Sequence, residues 1–181
     1  NRNPFHATEI MFAPGSEPGT TDVEFTTRER DALRVYGGAD NTGIEETNVV
    51  RLFLGATWGN AFGLGDLLTF QFTSSPDFHQ FVSYFGKYDC FLPWKHILSL
   101  SGGYGIIHPH LSGLRHEGKA AQGSFYYTIP FLPLYTSFEH ELSIGFDYKS
   151  LNTNLFFEDI QPIVTKTAQI TEFRAIYQIA K

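Results

Sequence analysis

Cysteine is all but absent from this sequence. Cys90 stands alone, which excludes an intrachain disulfide and a cysteine-rich metal centre. Basic residues are scarce as well. Thirteen Lys and Arg stand against 19 Asp and Glu, for a net charge of -6, and no run gathers the positive ones. A nucleic-acid backbone needs a neutralising patch, so nucleic acid is not an expected partner. Long apolar runs are missing too. The longest uncharged stretch, 120–138, is interrupted by Gly123, Pro130 and Pro133, so no transmembrane helix is expected. Neither an initiating Met nor a basic-then-apolar leader precedes Asn1, and the chain is expected to be a mature or truncated one.

What is present is aromatic. Phe, Tyr and Trp make up 16 % of the 181 residues, while charged residues reach only 18 %. That leaves ample apolar surface to bury, so disorder is excluded. Phe, Tyr, Thr, Val and Ile favour strands over a helical bundle. The length suits one domain or slightly more.

The stretch 33–66 sets the pattern. In its second strand Val50, Leu52, Leu54, Ala56 and Trp58 alternate with Arg51, Gly55 and Thr57, and Phe53 is the exception. Strict alternation marks a strand, because successive side chains point to opposite faces. The same period predicts strands over 33–40, 48–59, 67–73, 78–90, 96–107, 123–132, 136–149 and 164–180, about eight in all. Short turns are expected at 60–66, 91–95 and 133–135. Longer polar loops are expected at 41–47, 108–122 and 150–163, with 74–77 a short exception. Each strand is about long enough for a tilted crossing of a bilayer, which takes roughly 9–11 residues. Alternate strands joined by short and long turns are the pattern of an antiparallel up-and-down transmembrane β-barrel, with apolar residues toward lipid and polar residues toward a watered lumen. Lumen candidates on that reading are Arg34, Arg51, Lys87, Asp89, Glu139, Glu141, Asp147, Lys149, Glu172 and Arg174. Alternation alone does not distinguish inside from outside. A soluble lipocalin-like barrel holding an apolar ligand carries the same period with the apolar face inward.

Residues 1–31 differ from the rest. A lead-in turn at Asn3-Pro4, a strand over 8–13, the turn cluster Pro14–Gly19 and an alternating strand at Asp22–Arg28 predict a hairpin with one charged face. It reads as the end of an α+β module, with 32–181 as the second unit. Asp22, Val23, Glu24 and Phe25 are the candidates for capturing an extended partner strand at a sheet edge.

Other site chemistry is weaker. His108, His110 and His116 share one loop, but Pro109 breaks the pair that would bind a metal, and no third ligand has a tight spacing. His140 faces away from Glu141 and Ser143 on a strand, so no nucleophile–base pair forms and no enzyme is expected. Gly63-Leu64-Gly65-Asp66 lacks the following Lys and helix of a phosphate loop. It reads as a tight turn using Gly for positive φ. No cofactor is expected.

Several motifs occur in order: Asn1-Arg2-Asn3-Pro4-Phe5, the Pro14–Asp22 turn, Leu33-Arg34-Val35-Tyr36 and Asp40-Asn41-Thr42-Gly43. Later come Asn60–Asp66, Leu92-Pro93-Trp94 and Gly145–Lys149. Together they resemble the junction between the last periplasmic POTRA module and the first barrel strands of two-partner secretion transporters, the hemolysin secretion/activation family of Gram-negative outer membranes. The resemblance implies a POTRA-like hairpin at 1–31 in the periplasm and the N-terminal part of an outer-membrane barrel at 32–181. It implies export of one secreted passenger protein, unfolded and without ATP, through a barrel in contact with outer-membrane lipid. A barrel-assembly insertase of the same superfamily is the near alternative. The family barrel has about twice these strands, and its Arg-Gly-containing late loop has no counterpart here, so the chain is expected to be a piece whose remaining strands lie elsewhere.

An antibody against 78–90 should therefore detect, in fractionated source cells, an outer-membrane band well above the chain's own 20.4 kDa that shifts on boiling. A soluble 20.4 kDa band would instead turn the apolar faces inward.

Overall fold

The computed structural model describes residues 6–17, 19–29, 32–111, 114–131, 138–157 and 161–180. The expected lead-in turn at Asn3-Pro4, Pro18 of the first turn cluster and the turn at 133–135 lie outside the described residues.

β1 (His6–Pro14) and β2 (Thr21–Glu29) make a two-stranded antiparallel hairpin. Its turn closes where Gly15 N–H donates to the Thr20 carbonyl and Thr20 Oγ1 donates to the Glu17 carbonyl. Ile10 pairs with Phe25 and Phe12 with Val23, which gathers the apolar side chains on one face. That face is open, with Phe12 73 % exposed.

The rest is one antiparallel sheet. It comprises β3 (Leu33–Asp40), β4 (Arg51–Gly59), β5 (Leu67–Ser74), β6 (Phe81–Phe91), β7 (Ile97–Ile107), β8 (His110–Leu111), β9 (Leu114–Phe131), β10 (Glu139–Phe157) and β11 (Gln161–Ala180). β3-β4-β5-β6-β7-β9-β10-β11 follow one another as a meander, and the two-residue β8 pairs with β9 alone. The sheet does not close: β3 and β11 are its two edges. Among the described residues no helix is long and apolar enough to cross a membrane.

Three strands differ from expectation. β9, β10 and β11 run for 18, 19 and 20 residues and take up most of the segments 108–122 and 150–163 that composition assigns to loops. Polar composition signals water on both faces, but it does not interrupt the backbone ladder. Gly118 still pairs with Ile107 and Lys119 with Asn152. At their starts β4 and β6 are shorter than the period suggests. Val49 and Val50 belong to a turn that begins with the 3-10 segment Glu45–Thr47, and 78–80 belong to the Ser75–Gln80 turn, which closes by the Ser75 N–H donating to the Phe81 carbonyl.

Where the sequence predicts a glycine turn at 60–66, Gly63 and Gly65 do hold φ of 77° and 69°. The organiser of that turn is Asp66. Its buried carboxylate accepts from the Phe62 and Leu64 N–H groups, and Asn60 Oδ1 accepts from Gly65 N–H.

Other glycines serve close packing. Tyr36 lies over its cross-strand partner Gly55, Phe53 over Gly38, and Tyr126 over Gly145. A β-carbon at any of the three positions would overlap the ring. This explains why Phe53 breaks the alternation of β4: its ring lies flat on a glycine. Gly123, in contrast, has nothing within 4 Å of where a β-carbon would stand.

Gly145→Ala should therefore push Tyr126 off its site and destabilise the sheet by about 1–3 kcal/mol, the ordinary cost of overpacking. Gly123→Ala should be neutral. The temperature at which the folded band converts to the unfolded one on a gel reads both, and equal effects would remove the packing account.

Candidate functional site

Register gathers the candidates that the sequence scatters. Following the cross-strand partners gives one row: Arg34, Thr57, Thr69, Lys87, Ser101, Ser124, Asp147, Glu172. Side chains two residues apart on a strand share a face. Hence Arg51, Asp89, Glu139, Glu141, Lys149 and Arg174 fall on the same face as the row, and all ten charged candidates share one surface. The opposite surface carries a row of Leu33, Trp58, Leu68, Tyr88, Leu100, Phe125, Phe146 and Phe173.

The two surfaces differ in shielding. On the polar one, Arg51 and Asp147 are only 7 % and 6 % exposed. On the apolar one, Leu54 is 58 %, Ile144 52 % and Phe173 81 % exposed. Among the described residues Cys90 is the only buried hydrophobic side chain. Water-soluble folds show the reverse, with apolar residues shielded and charges outside.

Charges on the polar face neutralise one another locally. Lys87 Nζ stands 2.8 Å from Asp89, which also accepts from the Ser99 hydroxyl at 2.6 Å. Asp147 accepts from the Tyr126 hydroxyl and meets Arg174 Nε at 3.2 Å, and Arg174 reaches Glu172 at 2.7 Å through its other arm. Thr128 and Ser143 hydroxyls share a hydrogen bond at 2.7 Å, and Tyr36 donates to Gln71. Arg34, Lys87, Glu139, Lys149, Glu172 and Arg174 are exposed, while Asp89 and Glu141 are half-buried. Arg51 is different: its guanidinium donates to the carbonyls of the β3–β4 loop and stacks over Phe81 of β6. The result is a polar surface of mixed sign.

Sequence reasoning missed Tyr126, Ser99 and Ser124. The parity that put Phe125 and Tyr127 on the apolar face already placed Ser124 and Tyr126 on the other.

At the short-turn end the apolar face carries polar anchors, and at the other end Lys119 pairs with Glu117 at 2.6 Å on the same parity. Tyr127 O–H receives Trp94 Nε1–H at 3.0 Å and lies 2.6 Å from His96 Nδ1. His140 Nδ1 lies 2.8 Å from Tyr177 O–H. His140 is thus on the apolar face while Ser143 bonds Thr128 on the polar one, so the two do not converge. At the other end, His108 Nδ1 lies 3.0 Å from the His79 carbonyl and the two rings are 5.1 Å apart. The side chain of His110 lies outside those described. Among the described residues no three His, Cys, Asp or Glu side chains gather as metal ligands do. In the same turn the Ser75 hydroxyl donates to Asp77 and holds its carboxyl below the ordinary value.

In the N-terminal hairpin, Val23 and Phe25 share the apolar face, and Asp22 and Glu24 take the other. β2 pairs with β1 alone among the described strands.

The profile of the family described as "ShlB: Haemolysin secretion/activation protein ShlB/FhaC/HecB" matches residues 19–158. A search of curated protein sequences gave no match. Among solved structures the fold is similar to CdiB from Escherichia coli, with a TM-score of 0.82 at 16 % identity over 99 % of this chain and 34 % of that one. A second similar structure is BamA from Haemophilus ducreyi lacking POTRA domains 1-3, with a TM-score of 0.45, 14 % identity and coverage of 98 % and 35 %. The chain therefore spans about a third of the length of the structures it matches.

The shielding predicts unequal roles for two carboxylates. Asp147→Asn should cost about 1–3 kcal/mol, because the half-buried Tyr126 hydroxyl and one arm of Arg174 lose their charged acceptor. Lys87→Met, which breaks a pair with a half-exposed cation, should cost at most about 1 kcal/mol. Urea unfolding of the detergent-solubilised protein measures both, and equal costs would contradict the assignment of a shielded face.

Proposed function

Because the chain belongs to the haemolysin secretion/activation family ShlB/FhaC/HecB, we propose that it is part of an outer-membrane pore that exports a secreted partner protein. The observation that carries this reading is the inverted shielding of the two faces. The exposed apolar face suits lipid, and the mixed-sign face, on which Arg51 and Asp147 are shielded, suits the wall of a water-filled lumen. The soluble-barrel alternative requires the apolar face to be the protected one.

The rest of the reading follows from that orientation. Trp58, Trp94, Tyr127 and Tyr177 stand at the short-turn end, where aromatic side chains with a polar tip belong at a membrane–water interface. Leu33 starts β3 at that same end, beside Trp58, so the segment 1–31 enters from there. We assign this end to the periplasm and the hairpin β1–β2 to the end of a POTRA-like module. The edge of β2 away from β1, at Asp22–Phe25, is suited to receive an extended passenger segment by strand addition. The edges β3 and β11 cannot stay bare in lipid, because each unpaired peptide group there costs several kcal/mol. Further strands of the full-length transporter pair with them and close the barrel. Passage through the lumen then needs no chemistry, only a polar wall of mixed sign on which Lys87 pairs with Asp89 and Arg174 with Asp147 and Glu172.

Thiol labelling in the full-length protein tests the orientation. Ser101→Cys should react with a membrane-impermeant maleimide and Phe70→Cys should not. Glu141→Leu should change single-pore conductance in planar bilayers. The reverse labelling pattern would overturn the lumen assignment.

A further inference from the structure

The β3–β4 loop, 41–50, is held against the polar face. Thr47 sits at the tip of the loop yet is 2 % exposed, whereas the tip of a free loop is wet. Beneath the loop lies a cavity of about 350 Å³, walled by Thr42, Ile44 and Thr47 on one side and by Thr73, Phe81 and Ile107 on the other. Those three belong to β5, β6 and β7, and all have polar-face parity. Beyond them the turn Glu45–Thr47 comes within 8 Å, between Cα atoms, of β8. The loop thus leaves its own hairpin and crosses three neighbouring strands on the side assigned to the lumen.

One side chain fastens it. Arg51, the first residue of β4, is 7 % exposed. Its Nη1 donates to the carbonyls of Thr47 at 2.8 Å, Asn48 at 2.6 Å and Val50 at 3.2 Å, and Nη2 donates to Thr47 Oγ1 at 2.6 Å. The guanidinium carbon also stands 4.4 Å over the ring of Phe81 on β6. The cation therefore touches the loop and the barrel wall at once. A planar, forked donor is the group that can satisfy several carbonyls while stacking on an aromatic face. A guanidinium this shielded would be costly without those acceptors, and the loop carbonyls would be orphaned without it.

We propose that Arg51 is a positioning residue that clasps the loop 41–50 across the mouth of the pore opposite the hairpin, where the loop forms a constriction that must lift for a passenger to leave. This rests on the pore reading above. The clasp is made of neutral oxygens around one cation, so a passing chain that competes for the same donors releases it without breaking the sheet.

The test uses the full-length transporter in planar bilayers. Arg51→Ala should raise the ratio of high- to low-conductance dwell by at least about tenfold, the worth of one hydrogen bond to a charged group. Thr47→Val, which removes one acceptor and leaves the wall intact, should move the ratio the same way by less. Arg51→Lys should fall between wild type and Arg51→Ala, because an ammonium reaches fewer of the acceptors. Replacing 44–47 by two glycines should open the pore as Arg51→Ala does, and the two changes together should add nothing further. A heat-shifted band on a gel verifies that each barrel has folded. If Arg51→Ala fails to fold, Thr47→Val and the loop replacement decide. Folded variants with wild-type conductance would overturn the clasp while leaving the pore standing. So would an additional gain from Arg51→Ala in the loop-replaced protein. A wild-type protein that never conducts would overturn the pore reading instead.

Discussion

A one-residue slip between any two strands of the meander would carry every side chain of the slipped strand to the other face. The pairing register is therefore the constraint on which the rest depends. Because Thr57 stands opposite Thr69, and Lys87 opposite both Thr69 and Ser101, polar side chains meet polar ones, and apolar side chains meet apolar ones on the other face. The ladder also satisfies the backbone. On the proposed reading, in which the apolar face meets lipid, no water stands by to accept an unpaired N–H. In this sheet the outer edges of β3 and β11 have no partner among the described strands.

Register alone leaves the polar face crowded, since Tyr36, Phe53 and Tyr126 all point to it. The solution is pairwise. Each ring lies on a glycine of the neighbouring strand, which flattens it against the wall and keeps the volume above it open. Tyr126 then presents its hydroxyl to Asp147, so a packing contact also orders the best-shielded carboxylate of that face. Burying a carboxylate without partners would be costly; Asp147 has Tyr126 and Arg174, and Asp66 has backbone N–H groups of its own turn.

The two ends of the sheet are built differently. Turns at the hairpin end close on Asp66 or on Leu92 and His96 and leave the aromatic anchors outward. At the far end β9, β10 and β11 prolong their ladder, and the first loop bends inward onto Arg51 and Phe81. A tight, anchored end and a taller, loop-bearing end fit the proposed pore, with its entrance at the first and its exit at the second.

Two-residue periodicity was enough to find the strands from 33 onward, the hairpin before them and the membership of each charged residue in a polar stripe. The glycine turn at 60–66 was legible from Gly63 and Gly65. The stretches 108–122 and 150–163 were not, because a polar ladder and a polar loop have the same composition. Arg51 illustrates the deeper limit. Its parity correctly assigned it to the polar face, yet nothing local tells that its guanidinium turns to its own loop and to Phe81, thirty positions away in the chain. Alternation is set by the backbone pleat and is written in the sequence itself. Which face is shielded depends on how the whole sheet curves, and which partner a side chain meets depends on strands brought together across that sheet, so both were decided only by the tertiary structure.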